Sequence, residues 1–237
     1  MLASQQLGST MNAALAATKL APAPEDGSIH FGDSVMLSSA DGGVLAASTA
    51  HRTESAQTAF HVTRTSDAAG VACTRTTWTI CPIDGAKVPE DGLLRFGMKF
   101  ALSTPGADGS PLYLQSVRYT LHNLNYSGSG GKGQGVCAVP APSADTTWSV
   151  VVLDPTDLGQ MESVGQPVPA NTFVALQHSN TTTNLFTHEY KVPSQYGKER
   201  EVCCLTDTSI VKGGWGKRNG STVGVGNHWA FTTSAVP

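Results

Sequence analysis

Phe-Gly-Asp-Ser-Val-Met-Leu-Ser-Ser, residues 31–39, decides how this chain folds, because related copies of it return twice. The copies are Phe-Gly-Met-Lys-Phe-Ala-Leu-Ser-Thr at 96–104 and Ala-Asn-Thr-Phe-Val-Ala-Leu-Gln-His at 170–178. In each copy apolar residues recur at every second position, which is the pattern of a half-buried β-strand. A strand that recurs three times predicts a β domain with internal threefold symmetry.

The entry into each of these strands has a matching signature. Gly32, Gly97 and Asn171 lie three residues before the first apolar residue of their strands. Gly and Asn are the residues that best tolerate positive φ. We therefore expect a tight turn at the start of each copy.

Each copy is followed later by a segment that begins with Thr-Trp or His-Trp. These segments are Thr77–Ile80, Thr147–Val150 and His228–Phe231. Before them, a turn-rich gap leads to a returning apolar segment, which predicts a β-hairpin. The returning segments are 44–46, 112–114 and 185–187.

A third strand is expected before each tryptophan. It is assigned to Val136–Val139 in the second repeat and to Val202–Leu205 in the third, whereas both Phe60–Val62 and Val71–Cys73 fit in the first. Four strands in each of three repeats predict about twelve strands in an all-β fold. The simplest closed arrangement is a β-trefoil-like barrel, because closure removes exposed sheet edges.

The core of this barrel follows from the repeated positions. The tryptophans begin the fourth strands and the leucines hold matching places in the first strands, so all six should point inward. These residues are Trp78, Trp148, Trp229, Leu37, Leu102 and Leu176. The period of about 70 residues is too long for a solenoid, so we expect one domain over 28–237. Its repeats are expected at about 28–85, 92–155 and 167–235.

Residues 1–27 are predicted to form an N-terminal arm. Their Ala- and Ser-rich sequence predicts a short helix over Ser9–Leu20, with Ser9 or Thr10 as its N-cap. The arm has neither the basic start nor the apolar stretch of a signal peptide. An isolated helix of this length is marginal in water, so we expect the arm to dock on another surface.

Composition limits the classes of partner. The chain of 237 residues has a formal net charge of −3, and 14% of its residues are charged. This balance gives no electrostatic basis for nucleic-acid binding. No apolar run approaches the roughly 18 residues that a membrane span needs, so we expect neither nucleic acid nor membrane as a partner.

The sequence predicts no catalytic, metal or cofactor site, and we do not expect an enzyme. The seven histidines form no H-x-x-x-H or H-E-x-x-H pair, which zinc sites on helices use. Gly128–Gly135 lacks the G-x-x-x-x-G-K-[ST] phosphate-binding pattern. The five cysteines are odd in number and include no C-x-x-C, so they are interpreted as reduced. The adjacent Cys203 and Cys204 should point to opposite faces of a strand.

Several longer stretches resemble one known family in collinear order. These stretches are 25–37, 94–100, 112–116, 168–172, 196–202 and 227–229. They are similar to the MIR-like β-trefoil domain of the cilia- and flagella-associated protein 161 family, and the resemblance runs from residue 25 to about 233. It implies a structural protein with no known catalytic role and no cofactor.

The resemblance also implies a location and partners. Members of this family are microtubule inner proteins of motile cilia and flagella. They bind the luminal wall of the A-tubule in axonemal doublet microtubules, near the seam, beside α/β-tubulin protofilaments and other inner proteins. By this interpretation the chain would stabilise the doublet.

A carbohydrate-binding β-trefoil module is the alternative function. Such modules place an aromatic platform and an Asp or Asn in their lobes. Asp33 and Tyr113 are the candidates, but their counterparts in the other repeats are unlike them: Met98 and Thr172 for Asp33, and Phe186 with Leu45 or Ala46 for Tyr113. The lobes therefore share no polar site, which weakens this alternative.

The arm and an insertion at 206–226 are where the chain departs from the family pattern. The insertion combines an aromatic side chain with three cations in a glycine-rich frame, namely Lys212, Trp215, Lys217 and Arg218. Trp and Arg are common at interface hot spots and tubulin is acidic, so these four are candidate partner-binding residues. A solvated loop with Trp215 folded back onto the barrel fits the sequence equally well. Leu15 and Leu20 are the candidates in the arm.

Overall fold

The structure, a computed structural model, describes residues 2–52, 59–65, 71–118, 133–153, 157–207 and 223–234. Within these residues, antiparallel strands dominate, which confirms the all-β class. The two helices are α1, Leu2–Ala14, and α2, Asp157–Ser163. The strands are β1, Ser34–Ser39; β2, Leu45–Arg52; β3, Phe60–Arg64; β4, Trp78–Cys81; β5, Lys99–Pro105; β6, Pro111–Ser116; β7, Gln134–Val139; β8, Trp148–Val151; β9, Phe173–His178; β10, Leu185–Ser194; β11, Gly197–Cys204; and β12, Trp229–Thr232.

Six of these strands close into a ring. β1 pairs with β4, β4 with β5, β5 with β8, β8 with β9, β9 with β12, and β12 with β1 again. Each pair is antiparallel, so every ring strand has hydrogen-bonded neighbours on both sides. Closure therefore leaves the ring without a free edge that could pair with another chain.

The other six strands form three hairpins, β2–β3, β6–β7 and β10–β11. Their inner strands also pair with one another: β3 with β7, β3 with β11, and β7 with β11. The first strand of each hairpin follows directly from β1, β5 or β9, so the three hairpins gather at the same end of the ring. In the first hairpin the third-strand segment is Phe60–Arg64, which settles the choice between the two candidate segments.

The turns that lead into β1, β5 and β9 have the backbone that the sequence predicts. Gly32 has φ of 93°, Gly97 has φ of 81° and Asn171 has φ of 56°. Residues with a Cβ other than Asn and Asp rarely adopt this left-handed conformation. The glycines and the asparagine therefore set where each of these strands begins.

Each tryptophan begins a ring strand and fastens that strand to a hairpin. The side chains of Trp78, Trp148 and Trp229 are fully buried. Their indole Nε1–H groups donate to the backbone carbonyl oxygens of Leu45, Leu114 and Leu185, at 3.1, 2.9 and 3.1 Å. Each acceptor is on the outer strand of a hairpin, so the same hydrogen bond joins ring and hairpin in three places.

The core is continuous through ring and hairpins. The six residues that the sequence assigned to it, Trp78, Trp148, Trp229, Leu37, Leu102 and Leu176, are all fully buried in one apolar cluster. Phe100 and Phe231 also lie there, in an edge-to-face contact with ring centroids 6.2 Å apart. Aromatic pairs of this kind add to the stabilisation that burial provides.

The arm contains a helix, but the predicted bounds are wrong. α1 ends at Ala14, and the chain turns at residues 15–16 before it reaches the barrel. Ala17 forms a β-bridge with Cys73, and the Thr74 N–H donates to the Ala16 carbonyl oxygen at 3.0 Å. These backbone bonds tie Ala16 and Ala17 to the barrel, so the helix can form only before them.

α2 is a second helix, which the repeat pattern did not predict. It lies in the connection between β8 and β9. Among the described residues, no helix is long and apolar enough to cross a membrane.

Trp148→Phe tests the bond between ring and hairpin. The substitution keeps an aromatic ring in the core but leaves the Leu114 carbonyl without its indole donor and opens a small cavity. We expect the free energy of unfolding to fall by about 1–3 kcal/mol, measured by urea denaturation. Phe173→Leu is the control, because Phe173 is 47% exposed and should change stability by less than about 0.5 kcal/mol. Equal effects of the two substitutions would contradict this account of the tryptophans.

Candidate partner-binding sites

The N-terminal arm is docked on the body of the chain. The Ala21 N–H donates to the Ser34 carbonyl oxygen at 2.7 Å, and the Ser234 N–H donates to the Ala21 carbonyl oxygen at 3.0 Å. Of the two candidate residues in the arm, Leu15 is 51% exposed and Leu20 is half-buried. Leu15 therefore remains available to a partner, whereas Leu20 is partly covered by the chain itself.

Lys212, Trp215, Lys217 and Arg218 lie outside the described residues, but the two ends of the insertion are defined. The Gly224 N–H donates to the Asp207 carbonyl oxygen at 2.8 Å. Asn227 is fully buried, and its side-chain amide donates to the carbonyl oxygens of Leu185 and Leu205 at 3.0 and 2.7 Å. The insertion therefore begins and ends at a fixed point of the barrel, beside β10.

α2 and the residue that follows it expose an apolar surface that the sequence analysis did not identify. Leu158, Met161 and Val164 are 66%, 74% and 64% exposed. A groove of about 320 Å³ separates Met161 and Val164 from Phe96 and the end of β8. Their three-residue spacing is the signal that could have revealed this surface, because such residues share one face of a helix. Adjoining exposed apolar side chains are frequent at interaction sites.

A buried ion pair joins segments that are distant in sequence. Both Nη atoms of Arg75 lie 2.9 Å from the carboxylate oxygens of Glu199, and both side chains are about 95% buried. Thr63 donates its hydroxyl to the same carboxylate at 2.7 Å. The guanidinium also stacks on the Tyr196 ring, 3.7 Å from its centroid. The pair thus fastens the β10–β11 hairpin to the 3-10 turn that precedes Trp78.

Several interactions set the ionisation of Glu199. Burial alone would raise the pKa of its carboxyl group, but the hydrogen bonds and positive charge of Arg75 outweigh that effect, with a further contribution from Thr63. The pKa therefore lies below its usual value, and the carboxylate stays charged at neutral pH. A bidentate pair of this kind is strong only while both partners remain.

Arg64 is a second buried cation that the sequence analysis missed. Its side chain is 1% exposed, and its Nη1 donates to the Gly42 carbonyl oxygen. Burial lowers the pKa of Arg64, and the nearby charge of Arg200 lowers it further. The positions that match Arg64 in the other two hairpins lie opposite Leu114 and Leu185. They are occupied by Ala138 and Cys204. An arginine at a position occupied by small residues elsewhere breaks the repeat, so the repeat could not have predicted its burial.

The structure corrects the match that was assigned to Tyr113. Leu45, Leu114 and Leu185 are equivalent because each accepts the tryptophan hydrogen bond. The counterparts of Tyr113 are therefore Val44 and Asn184, rather than Phe186 and Leu45 or Ala46. Asp33 is engaged in its own turn, where its carboxylate accepts the His30 N–H at 2.8 Å.

The buried thiols are poorly suited to redox chemistry. Burial raises the pKa of Cys137, Cys203 and Cys204 to about 12 each. The thiolate is the reactive form of cysteine, so at neutral pH these side chains behave as small apolar groups. The cysteines are free thiols.

The histidines serve local structure where the structure defines their contacts. His178 is fully buried, packs edge-to-face on Trp148, and has ring nitrogens 2.8 Å from the Thr181 hydroxyl and 2.9 Å from the Asp145 carbonyl oxygen. Burial lowers the pKa of His178, although the bond to Asp145 opposes the shift. Within the described parts of the chain, no group of three or more His, Cys, Asp or Glu side chains could hold a metal ion.

Comparison with known proteins places this barrel in a family. Residues 43–217 match the model of the cilia- and flagella-associated protein 161-like domain. The chain belongs to the cilia- and flagella-associated protein 161 family. This match spans all three hairpins, four of the six ring strands and α2, and it ends within the insertion.

Curated relatives and a solved structure are similar to this family member over most of its length. Cilia- and flagella-associated protein 161 of Danio rerio is 28% identical over 227 residues, which cover 89% of this chain and 70% of the relative. The protein of the same name from Bos taurus is 29% identical and is covered to 66%. The SDF2-like protein of Arabidopsis thaliana has a similar fold, with a TM-score of 0.61, 17% identity, and coverage of 86% of this chain and 93% of that one.

Arg75→Met tests the buried ion pair in this family member. The substitution leaves the Glu199 carboxylate buried without its cation, so we expect the free energy of unfolding at pH 7 to fall by about 3–5 kcal/mol. The matched control is Arg75→Met with Glu199→Leu, which removes both charges and should cost less than the single change. Urea denaturation of the three proteins measures both effects. A double variant as unstable as the single variant would contradict a coupled pair.

The difference in stability between the wild-type chain and Arg75→Met depends on pH. Because the fold lowers the pKa of Glu199, the contribution of the pair is present above the pKa of an unfolded glutamate and is lost as the pH falls through the folded value. The stability difference between the wild-type chain and Arg75→Met should therefore narrow in acid. A difference that stays constant through the acid range would show that Arg75 acts through packing alone.

Proposed function

We propose that this chain is a β-trefoil whose three four-strand repeats follow a docked N-terminal arm. Three features support this proposal: the closed six-strand ring, the three hairpins at one end of it, and the equivalent tryptophan hydrogen bonds to Leu45, Leu114 and Leu185. The repeats are then 28–85, 92–155 and 167–235, as the sequence pattern indicates.

We propose that its function is structural, as a microtubule inner protein of motile cilia and flagella. It would bind the luminal wall of the A-tubule of doublet microtubules, near the seam, and stabilise the doublet through contacts with α/β-tubulin protofilaments and neighbouring inner proteins. The observation that carries this proposal is the family match over residues 43–217, which is supported by relatives that align with 89% of the chain. We do not propose a catalytic role.

The structure supports a static binding role through rigidity. The ring is closed, the arm is docked, and a buried ion pair joins β11 to the 3-10 turn that precedes Trp78. These features leave little freedom for large internal motion. A rigid body loses less conformational entropy on binding than a flexible one. Several weak contacts on one rigid body can then combine into stable attachment.

Two kinds of side chain in this protein are suited to such contacts. The apolar side chains of α2 and Leu15 can pack against a partner. The cationic insertion, with Lys212, Lys217 and Arg218, complements an acidic tubulin surface. Separate contacts of different chemistry fit a protein that touches tubulin and other inner proteins at once.

Salt extraction of axonemes tests this function. The tagged chain is expressed in ciliated cells, and its release is followed through detergent and then increasing salt. We expect it to stay with the doublets after detergent and after a salt wash. Reversal of the three insertion cations to Glu should cause release at lower salt, because it weakens electrostatic attraction to tubulin. The matched control reverses the exposed Lys19, Lys87 and Lys198 and should release like the wild-type chain.

Release of the wild-type chain by detergent alone would overturn the structural proposal. The alternative would then be the carbohydrate-binding module, which one observation favours: Tyr113 lines a pocket together with the carboxylate of Asp84. Saturable glycan binding by the isolated chain would support that alternative.

A further inference from the structure

A cavity of about 420 Å³ opens on the side of the barrel beside β4, β5 and β6. Its walls are the segment after β4, which contains Asp84, the Tyr113 side chain from β6, and the 3-10 turn around Ala144. Pockets of this size hold small molecules or single side chains of a partner. None of the residues that line the cavity belongs to α2 or to the described part of the arm.

The polar groups of this cavity fall into two kinds. Thr146 donates its hydroxyl to the Ser143 carbonyl oxygen at 2.8 Å and accepts the Ser143 N–H at 3.0 Å, while the Ser143 hydroxyl accepts the Asp145 N–H at 3.2 Å. Asp84 and Tyr113, in contrast, have no hydrogen bond or ion pair from their side chains to any residue that the structure describes. The nearest cation along the chain, Lys87, does not pair with Asp84. One carboxylate and one aromatic ring are thus available to a ligand.

The aromatic wall is particular to this lobe. The residues equivalent to Tyr113 are Val44 in the first hairpin and Asn184 in the third, because all three precede the leucine that accepts the tryptophan hydrogen bond. Asn184 is buried, and Tyr113 is half-buried. The other two hairpins have a small residue or a polar residue at this position and still form part of the barrel. The fold therefore does not require the tyrosine ring.

We propose that this cavity binds a lysine or arginine side chain of a partner protein. The aliphatic stem of such a side chain packs against the Tyr113 ring and the apolar wall formed by Pro82, Ile83 and Pro142. Its cationic end pairs with the Asp84 carboxylate and approaches the face of the aromatic ring, which attracts cations. That the partner is a neighbour in the axoneme rests on the proposed function, whereas the chemistry of the cavity does not.

A sugar fits this cavity less well. Saccharides present several hydroxyl groups, and each that is buried needs a hydrogen-bonding partner. The Thr146 hydroxyl both donates and accepts within its own turn, and the Ser143 hydroxyl already accepts the Asp145 N–H. A single carboxylate in a mostly apolar wall matches an amphipathic cation better than a polyol.

Titration of the isolated full-length chain tests the proposal by NMR. The probes are N-acetyl-arginine amide and N-acetyl-lysine amide, with N-acetyl-norleucine amide as the uncharged match for the lysine stem. We expect saturable shifts at residues that line the cavity with at least one cationic probe, and affinity for norleucine amide at least about fivefold weaker than for lysine amide. Methyl mannoside is titrated in parallel.

Two variants test whether the Asp84 carboxylate and the Tyr113 ring bind the cationic probe. Asp84→Asn should weaken the cationic probe by at least about fivefold, because it removes the exposed carboxylate without touching the core. Its matched control is Glu90→Gln, an exposed carboxylate outside the cavity, which should change affinity by less than about twofold. Tyr113→Leu should also weaken binding, and the dispersion of the NMR spectrum shows whether that variant is folded.

The outcomes separate this proposal from the proposed function. No saturable shift with either cation, equal binding of norleucine amide and lysine amide, or equal effects of Asp84→Asn and Glu90→Gln would overturn it. Saturable binding of methyl mannoside in the cavity, with no cationic binding, would overturn it in favour of a sugar site. Each of these results is obtained on the isolated chain, so none depends on whether the chain resides in doublet microtubules.

Discussion

One hydrogen bond, made three times, links the ring of this fold to its hairpins. The indole of each buried tryptophan begins a ring strand and donates to the backbone of the adjoining hairpin at about 3 Å. Backbone pairing also joins ring and hairpins, through the β5–β6 ladder and the bridges Ser38–Val44 and Gln177–Asn184. The indole bonds add a directional link at each of the three places, which apolar contact does not provide.

The threefold plan is interrupted where the chain carries its distinctive chemistry. Glu199 is in the third hairpin and pairs with Arg75 in the 3-10 turn before Trp78. Only the second hairpin has a tyrosine at the position of Tyr113. α2 lies in the connection between the ring strands β8 and β9, and the insertion lies in the sequence between the hairpin strand β11 and the ring strand β12. The three lobes therefore share a scaffold but present different surfaces, which suits a body that contacts several different neighbours, as the proposed role requires.

The sequence predicted those parts of the fold that depend on short-range pattern. Alternating apolar residues, positive-φ turn residues and tryptophans at strand starts are visible within a few residues, so the all-β class, the three turns and the inward-pointing core followed from them. The ion pair could not be predicted, because Arg75 and Glu199 are 124 residues apart and neither lies in a recognisable motif. The end of α1 depends on a bridge to Cys73, and the burial of Arg64 depends on its neighbours in the hairpins, so both required tertiary structure.

Electron cryo-microscopy of doublet microtubules, from cells that contain the chain and from cells that lack it, tests whether the chain is part of the inner wall. We expect a density inside the A-tubule, against its luminal wall, that accommodates the six-strand ring with its three hairpins and disappears in cells without the chain. Identical luminal density in both kinds of cell would contradict the account, because the chain would then not be a component of the inner wall.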